Sequence, residues 1–273
     1  MNKFVASVII TTYNKPEFLR LVLFSYTLQS VKDFEILIAD DGSNKETKDV
    51  IDTFFKTTHL NIKHIWHEDD GFQKTKILNK AIIEATSDYL IFTDDDCIAR
   101  KDFVETHLNL RKPNYALSGG YFKLTEAISK IITKAIIASE KCFESSWLLE
   151  NGQPKSFKLN KLTKSTFKAK VLNTITPTKA TFDGMNVSCW KPLILKVNGF
   201  DERMQYGGLD REIGERLMNL GVKFRQIRYS AICLHLHHER PYKNEASLLL
   251  NTKIRKETKK LKSTYSNFGI RKD

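Results

Sequence analysis

Several things are missing from this sequence. No stretch reaches the ~18 consecutive apolar residues of a membrane-spanning helix. No hydrophobic leader region follows Met1-Asn2-Lys3, so a cytoplasmic protein is expected. Cysteine is sparse: Cys97, Cys142, Cys189 and Cys233 stand far apart, without the paired spacing of zinc sites, and reduced thiols are expected. Glycine is missing where two common nucleotide-binding folds need it. The first apolar run is not followed by a GxGxxG turn, and no glycine-rich loop ends in Lys-Ser/Thr. Both absences argue against a dinucleotide oxidoreductase and a P-loop NTPase. Acids are outnumbered, 32 Asp and Glu against 44 Lys and Arg, for a net charge of +12. Such a balance favours an anionic partner. The excess of basic over acidic residues falls in 121–180 and in the C-terminal tail, with no zinc-finger spacing. That pattern argues against nucleic acid and suits an anionic membrane surface, met peripherally at its inner face.

What is present centres on Tyr89-Leu90-Ile91-Phe92-Thr93-Asp94-Asp95-Asp96. An apolar run entered from Ser87-Asp88 reads as a buried strand of a parallel sheet. Its acids fall at the strand's C-terminal end, where open α/β sheets bind ligands. Side chains alternate along an extended chain, so Asp94 and Asp96 can face the same way and share a hard divalent cation with substrate phosphates. The plainer alternative is a polar turn in which an Asp caps a helix near Arg100-Lys101-Asp102-Phe103.

The rest of the first half repeats that pattern. Phe4 to Ile10 is a β-branched run, ended by Thr11-Thr12-Tyr13-Asn14-Lys15-Pro16, whose proline opens a helix carrying Phe18, Leu19, Val22, Leu23 and Tyr26. Phe34 to Ala39 is a second strand, ending in Asp40-Asp41-Gly42-Ser43. A helix over about 46–55, a strand near Ile62-His64-Trp66 and a helix bearing Ile77, Leu78, Ala81 and Ile82 follow. Strands alternating with helices predict a mostly parallel α/β sheet with right-handed crossovers.

Beyond residue 120 the chain turns Lys- and Ser/Thr-rich. An amphipathic piece over Ile128-Ile137 and a turn at Asn151-Gly152-Gln153-Pro154 are expected, then a mobile stretch. Order resumes at Phe182-Asp183-Gly184-Met185-Asn186. A helix from Lys191 leads to Asn198-Gly199-Phe200. Tyr206-Gly207-Gly208-Leu209-Asp210 is a glycine turn feeding a helix lined by Ile213, Leu217 and Leu220 and ended by Gly221. Asp210 reads either as that helix's N-cap or as a functional carboxylate. A strand at Ala231-Leu234 runs into His235-Leu236-His237-His238-Glu239, where metal ligation competes with plain solvent exposure. Residues 253–273 read as a solvated or surface-bound basic tail.

In this order the motifs resemble the family-2 glycosyltransferases: Thr11-Thr12-Tyr13-Asn14, Ala39-Asp40-Asp41-Gly42-Ser43, then the Asp-x-Asp of Asp94 to Asp96. The second half is similar to the C-terminal region of β-1,4-galactosyltransferases and bacterial chondroitin-type polymerases. Asn198-Gly199-Phe200, Gly207-Gly208-Leu209-Asp210 and His235 to His238 follow that group's order, and Phe72 to Asn79 is similar to its Phe-x-Arg-Ala-Lys-Leu-Leu-Asn. The resemblance implies a single A-type nucleotide-sugar-binding fold and a metal-dependent, inverting enzyme. It would move a hexose or N-acetylhexosamine from a UDP-sugar to a glycan or glycolipid hydroxyl, in cell-surface polysaccharide or lipo-oligosaccharide synthesis.

The same resemblance places Thr11, Thr12, Tyr13, Asn14, Asp41, Phe72, Lys74, Asp94 and Asp95 at the nucleotide, with Asp41 on the uracil. Asp94, Asp96 and His235 or His238 would hold Mn²⁺ or Mg²⁺; the strand start favours His235, and Lys243-Asn244-Glu245 favours His238. Asp210 would be the catalytic base, ionised and weakened by its helix terminus. Gly184, Met185, Asn186, Tyr206, Gly207 and Gly208 would line the sugar sites. Leu209 stands where that group has Glu, and Tyr206 where the galactosyltransferases have Trp. Four segments are implied: a nucleotide-sugar-binding subdomain (1–120), a variable basic insertion (121–180), an acceptor-binding and catalytic subdomain (181–252) and the basic tail (253–273).

Three other readings are open. A sugar-nucleotide pyrophosphorylase would need a glycine-rich loop where Thr11-Thr12-Tyr13-Asn14 stands. A catalytically silent sugar-binding module would need no acid at 210. A basic nucleic-acid-binding protein would explain only the charge.

Overall fold

The computed structural model describes residues 4–239 and 244–272. Strand β1 (Ala6–Thr12) is buried along its whole length, as the β-branched run requires. Lys15 and Pro16 then open α1 (Pro16–Thr27), with the proline where a missing N–H costs nothing. β2 (Phe34–Asp40) follows, and α2 (Lys45–Thr57) starts at Asn44, whose side chain caps Thr47 N. β3 (Asn61–Trp66), α3 (Lys74–Glu84) and β4 (Tyr89–Asp94) complete the expected alternation. β1 pairs in parallel with β2 and β4, and β2 with β3.

The chain does not enter a helix after the acids. It makes a short strand, β5 (Cys97–Ala99), before α4 (Phe103–Leu110), so none of the three carboxylates caps that helix. β6 (Tyr115–Ser118) and β7 (Gly120–Lys123) follow. Residues 121–180, expected to be partly mobile, are built from α5 (Glu126–Ile131), α6 (Lys134–Ala138), a 3₁₀ turn, α7 (Ser145–Glu150), a second 3₁₀ turn (Phe157–Leu162) and α8 (Thr166–Ile175). Ile128, Cys142, Phe143, Leu148 and Leu162 anchor them in the core. Ile128 belongs to the expected amphipathic piece, which divides into α5 and α6; the later anchors are too widely spaced among lysines to give a periodic signal.

β8 (Val187–Trp190), α9 (Lys191–Lys196), α10 (Leu209–Asn219), β9 (Lys223–Gln226), β10 (Ile232–His235) and α11 (Glu245–Leu261) finish the order. The main sheet runs β3-β2-β1-β4-β8-β6-β9, with β8 antiparallel to both neighbours. A second sheet, β5-β10-β7, brings the histidine strand beside the acids. Alternation in β1 divides the core. Val8 and Ile10 pack with α1 and α2 on one face, and Ile9 packs with α3, α9 and α10 on the other.

Two expected boundaries cut through elements. β7 spans the 120/121 boundary, and α11 spans 252/253. Nor is the end of the chain a free tail. The Asn198 side chain donates to the carbonyls of Ser266 (2.7 Å) and Arg271 (2.9 Å) and accepts from Arg271 N (2.8 Å). The Asn198-Gly199-Phe200 turn is fixed from its other side by Asn79, which donates to Phe200 O and accepts from Phe200 N.

The lower face of α10 carries a buried ion pair. Arg216, fully buried, donates through Nε (2.8 Å) and Nη2 (2.6 Å) to Glu212, which also accepts from Thr258. Removing one partner strands the other charge. Arg216→Met is therefore expected to cost about 3–5 kcal/mol, read from urea unfolding.

Candidate active site

The C-terminal ends of β1, β2 and β4, the start of α3, the Tyr206–Asp210 turn and the end of β10 surround a cavity of about 460 Å³. Parallel strands converge here because each must turn back over the sheet's edge, leaving backbone and polar side chains at the crevice. Of the residues singled out in the sequence, Thr11, Thr12, Tyr13, Asp41, Phe72, Lys74, Asp94, Asp95, Asp96, Met185, Tyr206, Gly207, Gly208, Asp210, His235 and His238 line it.

The three acids are separately committed. Asp94 accepts from Thr11 Oγ1 (2.5 Å) and from Lys74 Nζ (2.7 Å). Burial works against the Lys74 charge, but Asp94 and Asp210 together hold the ammonium well above its usual range. Asp95 accepts from Thr12 (2.8 Å); burial pushes it up to about 7, against the pull of Lys15. Asp96 meets His238 Nε2 at 2.8 Å, His235 Nε2 at 3.8 Å and Lys15 Nζ at 3.3 Å. Burial opposes its charge, yet the hydrogen bond from His238, with His235 and Lys15 beside it, keeps Asp96 well below the usual carboxylate range.

Asp96, His235 and His238 offer donor atoms within 4.8 Å of one another. The Nδ1 of each histidine donates to a carbonyl 2.7 Å away, Leu236 O for His235 and Glu239 O for His238. That bond fixes each ring so that Nε2 faces the carboxylate, the usual preparation of a metal-binding imidazole. The rings stack 5.4 Å apart, 12° from parallel. His235 and His238 both turn toward Asp96, and His237 is exposed. Lys243, on which the His238 argument leaned, lies outside the described residues. Asp94 stands apart from this trio, occupied by Lys74.

Asp210 sits in the first turn of α10 but caps nothing: Gly208 holds the N-cap position, with φ +82° and no side-chain bond. Asp210 Oδ1 is buried and has no hydrogen-bond partner among the described residues. Burial raises Asp210 to about 7, partly offset by Lys74 and reinforced by Asp94 and Asp183. The lowered value expected from the helix terminus is overridden by desolvation. Gly184 lies against it; a Cβ there would stand 2.4 Å from Oδ1. Glu212, the next acid on the helix, turns to Arg216, and Glu239 is exposed.

Two expected ligand residues do other work. Asn186 is buried, accepting from His107 Nε2 (2.9 Å) and donating to Gly120 O (2.7 Å). Burial lowers His107 to about 4, so the ring is neutral. Asn14, with φ +50°, bonds Ser43 Oγ and Asn44 N and bridges to the cap of α2. At the far side, Asp41 accepts from His67 Nε2 (2.8 Å) and from Gln73 N (3.0 Å). Tyr13 OH donates to Asp69 at 2.9 Å. Sequence reasoning passed over Lys15, Gly71, Ile77 and Leu209 as lining residues, and the half-buried Asp183 near Asp210. Lys15 could have been found from its place at the end of β1, opposite the acids.

The crevice at parallel strand ends, with its carboxylate–imidazole trio and separate buried acid, sits in an α/β fold shared with solved glycosyltransferases of the A type. Residues 7–139 match the model of glycosyl transferase family 2. It is 27% identical over 259 residues to a chondroitin synthase of Escherichia coli, covering 87% of this chain and 35% of that protein. Among solved structures, the Pyrobaculum calidifontis mannosyltransferase PcManGT in complex with GDP-Man and Mn²⁺ superposes with a TM-score of 0.59 at 18% identity, over 89% of this chain and 59% of that one. Staphylococcus aureus TarS 1–349 in complex with UDP-GlcNAc gives 0.58 at 15% identity, over 87% and 60%. The chain thus spans about a third of the chondroitin synthase and three-fifths of each of these two structures.

Proposed function

We propose that this domain transfers a hexose or N-acetylhexosamine from a UDP-sugar to a hydroxyl of a glycan acceptor, with inversion and a β-linkage as product. The observation that carries the reading is Asp210, which lines the same cavity as the Asp96–His235–His238 trio and whose buried Oδ1 has no hydrogen-bond partner among the described residues. A base with a pKa near 7 is matched to deprotonating a hydroxyl at neutral pH. The acceptor oxygen attacks the anomeric carbon as its proton passes to Asp210, and the bond to the nucleoside diphosphate breaks on the opposite face. Attack from the face opposite the leaving group inverts the centre, as in inverting glycosidases.

Asp96, His235 and His238 would hold Mn²⁺, which suits imidazole better than Mg²⁺ does and would supply a Lewis acid for the departing diphosphate. Lys74, kept cationic between Asp94 and Asp210, holds positive charge beside the same crevice. Tyr13, Asp41 and Phe72 form the wall to which we assign the uracil. The neighbours' complexes with UDP-GlcNAc and with GDP-Man and Mn²⁺ support a nucleotide-sugar donor. The test is a panel of UDP- and GDP-sugars with Mn²⁺, reading nucleoside-diphosphate release. Release from a UDP-hexose or UDP-N-acetylhexosamine is expected; release from GDP-sugars alone would overturn the uridine assignment, and release from none would overturn the function.

A smaller effect tests the base pocket. With Asp41 accepting the uracil N3–H, Asp41→Ala should weaken UDP binding by about 1–3 kcal/mol, the cost of leaving a buried donor unpaired. Calorimetry beside a melting curve separates that loss from any unfolding caused by stranding His67. Unchanged UDP affinity in a folded variant would remove Asp41 from the pocket.

A further inference from the structure

Residues 151–182 contain seven lysines and not one Asp or Glu. Six of those lysines are exposed. Within this segment α8 turns Ala169 inward and is tied down by polar bonds. Gln226 donates to the carbonyls of Asn173 (2.8 Å) and Thr176 (2.9 Å), and Asn173 donates to Ser230 (2.9 Å). Its opposite face carries Phe167, Val171 and Ile175, spaced four apart and so aligned in one stripe. They are 77%, 39% and 65% exposed. Phe157, on the preceding 3₁₀ turn, is 67% exposed. Lys168 and Lys170 fall to either side of the stripe at helical spacing.

We infer that α8 and the turn before it form a docking face for an anionic lipid surface, with Phe157, Phe167, Val171 and Ile175 entering the headgroup boundary and the flanking lysines meeting acidic headgroups. A helix that shows water an apolar stripe edged by lysine has the chemistry of an interfacial helix. Charge complementarity selects the occupant. A second copy of this face would oppose lysine with lysine, with no acid in residues 151–182 of either copy. An acidic glycan would match the lysines but leave the phenylalanine and isoleucine side chains in water. Acidic lipid satisfies both. The helix needs no folding on arrival, because its inner side is already held by the 226–230 segment.

The experiment is co-sedimentation of the full chain with vesicles of phosphatidylcholine mixed with phosphatidylglycerol, and of phosphatidylcholine alone, without donor or acceptor. Binding to the mixed vesicles is expected, with little to the neutral ones. Phe167→Ser/Val171→Ser/Ile175→Ser and Lys158→Glu/Lys168→Glu/Lys170→Glu should each weaken it by at least about tenfold. All six side chains are exposed, so both variants should melt like the parent. Equal binding to neutral vesicles, no binding to mixed ones, or full binding by the serine variant would overturn the inference. So would a dimer in sedimentation velocity that the serine variant abolishes without any vesicle binding by the parent.

Discussion

Asp210→Asn is expected to lower turnover by roughly 10²–10⁴, the usual worth of a general base. An amide has the same shape but cannot take the acceptor proton. UDP affinity should persist, because the wall assigned to uracil belongs to β1, β2 and the start of α3. Stability separates this from damage. A carboxylate raised in the folded state to about 7 holds its proton more tightly there than in the unfolded chain. Its favourable contribution is complete below the unfolded value of ~3.9 and is lost as pH rises through about 7. The substituted amide carries no charge to bury, so the variant should melt at or above the parent's temperature at pH 8, with the gap closing toward pH 4. The parent's rate should climb with pH through a limb centred near 7, and that limb should vanish in the variant's residual activity. A variant with parental turnover would leave Asp210 as a buried acid only, and Glu212 and Glu239 could not replace it: one is held by Arg216, the other faces solvent.

The sequence made parts of this site readable because periodicity places side chains. Asp94 and Asp96 follow an unbroken apolar strand, and Asp41 follows another, so their position at the crevice needed only the parallel-sheet rule. The direction of the Asp210 shift was not readable. Its helix terminus is visible in Gly207-Gly208, but its desolvation depends on Gly184 and Met185, brought close by the tertiary fold. Asn186 stands beside those two and yet turns inward, because β8 begins at Val187 and the pleat directs it toward His107. The stretch after Pro154 looked mobile because lysines hide its widely spaced anchors, Leu162 and Ala169, which only the tertiary fold covers. The small strands β5, β6, β8 and β9 have four residues or fewer, too short for an alternation to register.

Removal of divalent metal by EDTA should abolish turnover, and Mn²⁺ should restore it. The ligand assignment predicts more than that dependence. With both imidazoles aimed at Asp96, His235→Ala and His238→Ala should each weaken Mn²⁺ binding at least roughly a hundredfold, beyond what loss of a supporting second-layer contact costs. A single ligating histidine would leave one of the two variants near parental affinity. Asp94→Asn should act differently, since Asp94 is engaged by Lys74 and Thr11: Mn²⁺ binding without nucleotide should change little. Acid should also release the metal early. Asp96 raises the pKa of His238 above the ordinary histidine value of ~6.5. That ring must lose its proton before Nε2 can bind a cation, so Mn²⁺ affinity should fall as pH drops through a window above that value. His238→Ala should shift the fall to lower pH while weakening binding throughout. Calorimetric titration of Mn²⁺ into the nucleotide-free protein across pH reads each of these. An affinity that does not depend on pH near neutrality, or that survives both histidine substitutions, would move the metal elsewhere in the crevice.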